Sequence, residues 1–318
     1  MRVIVTGGTG FIGRNLVKEL NSQGYDVTCL VRETSNTDLL ENLDVDFVVC
    51  DIMDEQEIKN VFNRIRPDIV IHCAASVMEK DREKLMDVNV TTTKNIAQAS
   101  YEHDVGRFVY LSSVSVISGN PKVPLEEDLP YSASNGYGFS KIEAERMVKE
   151  YRKKGLKTAI LRPCMVYGND EPHLLDKLFR YAEKRFIPVL NDPVMNSKLQ
   201  LVHVSNVVEA IIMAMNKEEA LTDTFMVADK EIITMKRFVE IVTEEMIGKS
   251  PFVIPGWIVK IGKIIPFLRR KMERTFKDRV YDILRAVDVL GYDPKISTEE
   301  GLKMTVRHWK SKRKDHRL

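Results

Sequence analysis

The sequence predicts an α/β fold: a doubly wound parallel sheet with helices on both faces and a smaller, discontinuous C-terminal lobe. Three observations predict it. Short, β-branched, nearly continuous apolar runs recur through the first half of the chain, as strands buried on both faces do. Longer segments of helical period separate them. The resulting β-α-β-α order requires right-handed crossovers, which place helices on both sides of a parallel sheet.

In order, "RVIVT" (2–6) is the first strand and "FIGRNLVKELNSQG" (11–24) the first helix. "DVTCLV" (26–31) and "VDFVVC" (45–50) are the next strands, followed by a helix over 53–65. "DIVIHC" (68–73) precedes a helix over 83–103, "RFVYLSS" (107–113) precedes one over 136–154, and "KTAILR" (157–162) closes the alternation. One more helical pattern, 204–215, is expected to return to the sheet. The expected organisation is a sheet domain over 1–166, rejoined by 199–216, and a substrate-binding lobe from 167–198 and 217–318. That lobe reads as irregular, with short helices among scattered prolines.

A chain of 318 residues, 44% hydrophobic and 30% charged, is long enough for a sizeable core and is not disordered in character. A net charge of +2 gives no reason to expect a nucleic-acid partner. Cys29, Cys50, Cys73 and Cys164 are widely spaced with no CxxC pair, which argues against a disulfide framework or a bound metal and for core residues in a reducing cytoplasm. The N-terminus reads as a strand and turn, without a targeting segment. The most apolar later stretch, 251–268, is cut by Pro255, Lys260, Lys263 and Pro266 and is a poor membrane span. The expectation is a cytoplasmic protein with no transmembrane segment.

"VTGGTGFIG" (5–13) follows the first strand and opens the first helix. Gly7, Gly10 and Gly13 are spaced GxxGxxG, and Gly8, Gly10 and Gly13 also satisfy GxGxxG. A tight turn needs glycine, close approach to a pyrophosphate needs a missing Cβ, and the helix N-terminus offers amides and partial positive charge. The loop therefore predicts dinucleotide binding. An acidic residue at the end of the second strand would mark NAD, and an arginine there favours a 2′-phosphate. The chain has Arg32, while Asp26 sits at the other end of that strand, so NADP is favoured over NAD. The competing reading is a surface arginine stacked on adenine in an NAD enzyme. Asp51, just after the third strand, could accept from the adenine amino group or cap the next helix.

"NGYGFSK" (135–141) puts Tyr137 and Lys141 one helical turn apart. A phenol with a pKa near 10 is a poor base at neutral pH, and a neighbouring ammonium, helped by a positively charged nicotinamide ring, could lower it by about 3 units, roughly 4 kcal/mol. Such a pair can take a proton from a carbinol or return it to a ketone. Taken alone, YxxxK reads sooner as an exposed amphipathic pair. "LSSVSV" (111–116) places serines at the carboxyl edge of the sheet, where ligands bind. Ser113 is expected to bond the reacting oxygen, and capping of the next turn suits Ser112 and Ser115 better.

These motifs, taken in order with "HCAAS" (72–76), "RPCMVYG" (162–168), "LVHVSNV" (201–207) and "LGYDPKISTEEGLKMTVRHW" (290–309), resemble the extended short-chain dehydrogenase/reductase family, within the NAD(P)-dependent epimerase/dehydratase superfamily. The resemblance implies an NAD(P)-binding Rossmann-type domain and Ser113, Tyr137 and Lys141 as the catalytic set. For cofactor contact it implies Gly7, Gly10, Phe11, Ile12, Gly13, Asp51, Ile52, Ala74, Ala75, Asn89, Pro163 and Val166, besides Tyr137, Lys141 and the Arg32 weighed above. Pro163 would lie beside the nicotinamide, Lys141 on its ribose, and Asn89 would hold the active site together. Val77, Ser115 and Lys198 are the expected substrate contacts. A homodimer through the 83–103 and 136–154 helices is also implied.

Departures from the family pattern narrow the activity. Val114 and Ser115 replace the acidic pair of the dehydratases, so dehydration is not expected. Val116, Ile117 and Ser118 replace the V-Y-G of sugar 4-epimerases, Thr92 stands for a usual glycine, and Leu199 stands for their diphosphate-gripping arginine. Lys198 is one position off, and a lysine is a point charge, not a fork. The favoured function is an oxidoreductase of the 3β-hydroxysteroid dehydrogenase and dihydroflavonol reductase-like branch. The alternative is a UDP-sugar 4-epimerase with tightly bound NAD, and a third reading is a non-catalytic NADP-sensing scaffold. His72 and His203 are expected to be structural. The basic tail 307–318 reads as a solvated helix. The stretch 254–277, apolar residues interleaved with Lys and Arg, could be small-lobe core, a lid over a lipophilic substrate, or a helix lying on a membrane surface.

Overall fold

The computed structural model describes residues 1–77, 79, 81–172 and 175–315. The chain runs β1 (Arg2–Thr6), α1 (Phe11–Ser22), β2 (Asp26–Val31), β3 (Asp46–Val49), α2 (Glu55–Ile65) and β4 (Ile69–His72). It continues with α3 (Arg82–Glu102), β5 (Arg107–Leu111), α4 (Gly136–Lys154), β6 (Thr158–Pro163), β7 (Met165–Tyr167), α5 (Leu175–Glu183) and β8 (Val189–Leu190). Then follow β9 (Lys198–His203), α6 (Val204–Asn216), β10 (Thr224–Val227), β11 (Ile232–Thr234), α7 (Met235–Ile247) and β12 (Val253–Ile254). α8 (Gly256–Ile264), α9 (Pro266–Thr275) and α10 (Thr298–Asp315) complete it.

Two compact units result: residues 1–164, 207–227 and 282–293 form the first, and 165–206, 228–281 and 294–318 the second. The first holds a seven-stranded sheet in the order β10-β6-β5-β4-β1-β2-β3, parallel throughout. Its strands are buried because alternate residues serve opposite faces. On one face Ile4, Val70, Phe108 and Ile160 pack with Phe62 of α2, Ile96 of α3 and Val148 of α4. The intervening residues Val3, Val5, Ile71 and Leu161 are equally buried, and α1 lies against β1 and β2. Helices α2, α3 and α4 start where side chains satisfy their free amides. Asp54 accepts from Gln56 and Glu57, Asp81 from Glu83 and Lys84, and Asn135 from Gly138.

The sheet has a strand that the apolar pattern did not signal. "TFMV" of β10 pairs with β6, Thr224 opposite Ile160, and ends the sheet inside a stretch expected to be lobe. The expected return over 199–216 is divided. β9 instead pairs with β7 and β11 in a three-stranded sheet of the second unit, where Leu199 and Leu201 join its core. From Val207 onward α6 belongs to the first unit, with Ala210, Ile211, Ala214 and Met215 fully buried.

The second unit is also more regular than expected. α7 is capped by Thr234, which accepts the Arg237 amide, and closes on Gly248 at φ 67°. A cluster of Phe179, Leu201, Phe238, Val242, Leu302 and Val306 joins α5, β9, α7 and α10. Beside it Asp229, fully buried, accepts from the His203 amide at 3.1 Å, Asn206 at 2.7 Å, Thr298 at 3.1 Å and Tyr167 at 3.2 Å. Basic residues of α10 pair within the unit, Arg307 with Glu245, Lys312 with Asp170 and Arg313 with Glu183. The last three residues of the basic tail lie outside the described residues. Among the described residues no helix is long and apolar enough to cross a membrane.

Candidate active site

The loop between β1 and α1 folds back on itself. Gly10 donates its amide to the Gly7 carbonyl at 3.0 Å. Gly7 has φ +70°, and a Cβ there would lie 2.7 Å from the Ala74 amide nitrogen. A Cβ at Gly13 would lie 2.0 Å from the Gly7 carbonyl oxygen. Only glycine satisfies both positions. The helix that follows has Gly10 at its N-cap, no side-chain cap and no acidic residue in its first turn. Its amides are thus left for an outside anion, and Phe11 and Ile12 open that turn half-buried. A dinucleotide pyrophosphate fits this cradle.

Around it lie other expected contacts of the first unit. Ala74 and Ala75 follow β4, with the Ala74 amide donating to the Thr6 hydroxyl at 3.3 Å. Arg32 is exposed at the end of β2, and its guanidinium has no partner among the described residues. Asp51 is exposed after β3 and accepts the Met53 amide at 2.9 Å. It does not cap α2, since Asp54 takes that place. Ile52 packs on the core, and Pro163 ends β6 opposite Val227. Asn89 is 1% exposed, and its amide is committed within the protein. It donates to the Ser76 carbonyl at 3.0 Å and the Ser140 hydroxyl at 2.9 Å, and accepts the Ser76 amide at 2.7 Å. It ties the loop after β4 to α4.

Ser113, Tyr137 and Lys141 come together at the carboxyl edge of the sheet. Ser113 is extended (φ −162°, ψ 149°) and its oxygen accepts the Ser115 amide at 3.2 Å. The expected capping roles are therefore exchanged: Ser113 caps the turn. Ser112 donates to Glu145 at 2.5 Å, and the buried Ser115 hydroxyl has no partner among the described residues. Burial pushes the Tyr137 phenol up to about 12, against a lowering hydrogen bond from Ser113. On balance the protein's own groups therefore do not lower the phenol, and the expected depression rests on the nicotinamide charge. The reason is that Lys141 directs its charge elsewhere: its Nζ donates to the Leu111 carbonyl at 2.7 Å and lies 4.3 Å from the Tyr110 ring centre. Burial in turn pulls the Lys141 ammonium down to about 7, opposed by Glu145 and Cys73.

Glu145 and Arg162 were not singled out by sequence reasoning. Arg162 Nε and Nη2 bond the Glu145 carboxylate at 2.9 and 2.8 Å, with both side chains 1% exposed or less. Tyr131 donates to the same carboxylate at 2.8 Å, and Arg162 reaches the Glu127 carbonyl at 2.8 Å. Burial pushes the Glu145 carboxyl up, but Arg162 outweighs it and holds the group below its ordinary value. The available signal was spacing. Tyr137, Lys141 and Glu145 recur every four residues along one face of α4.

His72 is fully buried between the Thr6 and Thr93 hydroxyls at 2.6 and 3.0 Å, and burial pulls its pKa down to about 3. His203 is pulled down to about 4 by burial, and its Nδ1 accepts the Ser205 amide at 3.2 Å. Val77 is 47% exposed in the loop after β4. Val166 and Lys198 belong to the second unit, Val166 paired with Val202 and Lys198 with Thr234. Leu199 is buried, but it bridges in parallel to Arg279, whose amide donates to the Lys198 carbonyl at 2.8 Å. An arginine is therefore present across a single backbone bridge from the place where it was sought.

Residues 3–228 match the NAD dependent epimerase/dehydratase family. Among curated relatives, a UDP-glucose 4-epimerase of Vibrio cholerae is 29% identical over 96% of this chain and 94% of its own length. A 3 beta-hydroxysteroid dehydrogenase/Delta 5-->4-isomerase of Mycobacterium tuberculosis is 30% identical over 95% of this chain and 88% of its own. The solved structure of a Thermus thermophilus UDP-glucose 4-epimerase complexed with NAD superposes at a TM-score of 0.77. That chain is 26% identical, with 98% of this chain and 99% of the other covered.

The Lys141 environment makes a stability prediction. Its pKa is about 7 when folded, against 10.5 without burial. The folded protein thus binds fewer protons between those values, and this residue adds stability as pH rises from 7 towards 10.5. Between about pH 7 and about pH 9 the cofactor-free protein is expected to gain about 2 kcal/mol relative to Lys141→Met. Urea denaturation of both proteins measures this, and parallel pH profiles would contradict a dry Lys141.

Proposed function

The chain belongs to the NAD dependent epimerase/dehydratase family, and on that premise we propose that it is a dehydrogenase or reductase acting at a secondary alcohol or ketone. The observation that carries this reading is Ser113, Tyr137 and Lys141 at one sheet edge, with Lys141 buried and only weakly cationic. Gly7, Gly10 and Gly13 would hold the pyrophosphate on the α1 amides, and Pro163 would border the nicotinamide. When bound, the dinucleotide supplies or accepts the hydride at nicotinamide C4 and brings positive charge to the site in its oxidised form. Tyr137 gives its proton to the ketone oxygen, or takes it from the carbinol. Ser113 orients that oxygen. Its own oxygen is engaged by the Ser115 amide, so its hydrogen is free to turn from Tyr137 to substrate. Lys141, once protonated, favours the phenolate, and Glu145 beneath it favours that protonation.

Arg32 supports NADP over NAD, because an exposed guanidinium without an internal partner suits a 2′-phosphate. Val114 and Ser115 support a reaction without water elimination. A second reading, a UDP-sugar 4-epimerase with retained NAD, is favoured by one observation. Arg279 bridges to Leu199 and offers a planar fork for a diphosphate in the second unit. The homodimer through α3 and α4 belongs to the same proposal, supported by Tyr101 and Phe139, which are exposed on those helices.

Four outcomes test the proposal. Tyr137→Phe is expected to lower kcat by about 10²- to 10⁴-fold while cofactor affinity stays within about twofold, measured by steady-state kinetics and calorimetry. Thermal-shift titration is expected to give a larger rise with NADP than with NAD, and Arg32→Asp to invert that order. Purified protein that carries stoichiometric NAD and interconverts UDP-sugars unaided would replace the dehydrogenase reading by the epimerase one. Light scattering is expected to show a dimer that Tyr101→Glu splits into monomers.

A further inference from the structure

α8 and α9 of the second unit expose large apolar side chains that a folded core ordinarily takes up. Ile264 is 78% exposed, Phe267 72% and Trp257 65%. Trp257 and Ile264 are seven residues apart and share one face of α8, while Val259 points inward at 6%. The surface continues onto the adjoining ribbon, where the Val189 amide donates to the Phe252 carbonyl at 3.0 Å and Phe252 is exposed. Large apolar side chains exposed together on neighbouring elements mark an interaction site.

Its charge selects the partner. Over 254–277 there are seven Lys or Arg (260, 263, 269, 270, 271, 274, 277) against the single Glu273, in a chain whose whole net charge is +2. Lys260 stands exposed on α8 between Trp257 and Ile264, and Arg270 stands exposed one turn beyond Phe267 on α9. A second copy of the chain would set these like charges against each other, which a self-complementary interface disfavours. A small lipophilic ligand has no use for the cations. α8 and α9 are 9 and 10 residues long, too short to span a bilayer. Aromatic and aliphatic tips interleaved with cations suit helices lying in the plane of a lipid interface.

We propose that α8 and α9 dock the protein on a membrane surface bearing anionic lipid headgroups. Trp257, Ile264 and Phe267 enter the headgroup–acyl boundary, and Lys260 and Arg270 meet the headgroups.

The chain provides its own reporter. Of its two tryptophans, Trp309 is tied to Asp176 by its indole N–H at 2.8 Å, so Trp309→Phe leaves Trp257 as the only indole. The full chain carrying that substitution is titrated with vesicles of phosphatidylcholine alone, or mixed with phosphatidylglycerol. Expected are a blue shift of Trp257 emission and co-sedimentation with the mixed vesicles, with apparent affinity about tenfold weaker for neutral vesicles. The double variant Lys260→Glu, Arg270→Glu is expected to lose the anionic preference. In the full chain, Trp257→Ala with Phe267→Ala is expected to lower sedimentation by about tenfold, with circular dichroism unchanged. Equal binding to both vesicle types, or none to either, overturns the proposal. So does a blue shift that follows protein concentration without vesicles, which assigns the face to a second copy. A shift produced by a micelle-free lipophilic ketone but not by vesicles assigns it to a substrate lid.

Discussion

Two opposite charges buried in the sheet unit are the constraint on which the site depends. Moving Glu145 and Arg162 out of water is costly, and only their paired geometry offsets it. Arg162 projects from β6, Glu145 from α4, Ser112 from the end of β5, and Tyr131 and the Glu127 carbonyl from the segment before α4. The Glu127 carboxylate then accepts the Met226 amide of β10 at 2.9 Å. One network therefore fixes the height of α4 over the strand ends, and with it where Tyr137 stands relative to Ser113. Losing one partner would leave an uncompensated buried charge, a cost of roughly 3–5 kcal/mol.

The same pair sets the electrostatics above it. Lys141 sits one turn before Glu145, and its ammonium faces a backbone carbonyl and an aromatic ring instead of water. Proximity in a helix brings a phenol and an amine together, but dryness decides which of them holds the proton. In the cofactor-free site Tyr137 keeps its proton, and Lys141 titrates near neutrality. Added positive charge would move the two groups in the same direction: it lowers the phenol and discourages the ammonium, so both release protons more readily. A cofactor's oxidised and reduced forms thus meet differently protonated sites.

Most of the sheet unit was legible in the sequence because its signals are local. Apolar runs and helical periods placed β1 to β6 and α1 to α4 to within a residue or two, and Asn135 and Gly155 delimit α4 in the structure as a capped helix. β10 was not legible: four residues in a stretch without alternation become a strand only because β6 offers an edge. Glu145 was masked by its setting, since "KIEAERMVKEYRKK" reads as a solvated, charge-rich face. The raised phenol of Tyr137 was illegible for a related reason, because spacing encodes neighbours and not solvent. Arg279 is a lone cation in sequence, and its relation to Leu199 exists only through the bridge between their backbones.

The order of β10 in the chain has a consequence for synthesis. A ribosome that has delivered residues 1–164 has made every strand of the large sheet except its last, so β6 emerges as a bare edge with unpaired backbone groups. That edge waits through the translation of 165–223, which includes β7, α5 and β9 of the other unit, before Thr224–Val227 can close it. Residues 282–293 arrive later still. The nascent protein therefore carries an adhesive seam for a fifth or so of its elongation, the interval in which a holding chaperone has something to hold.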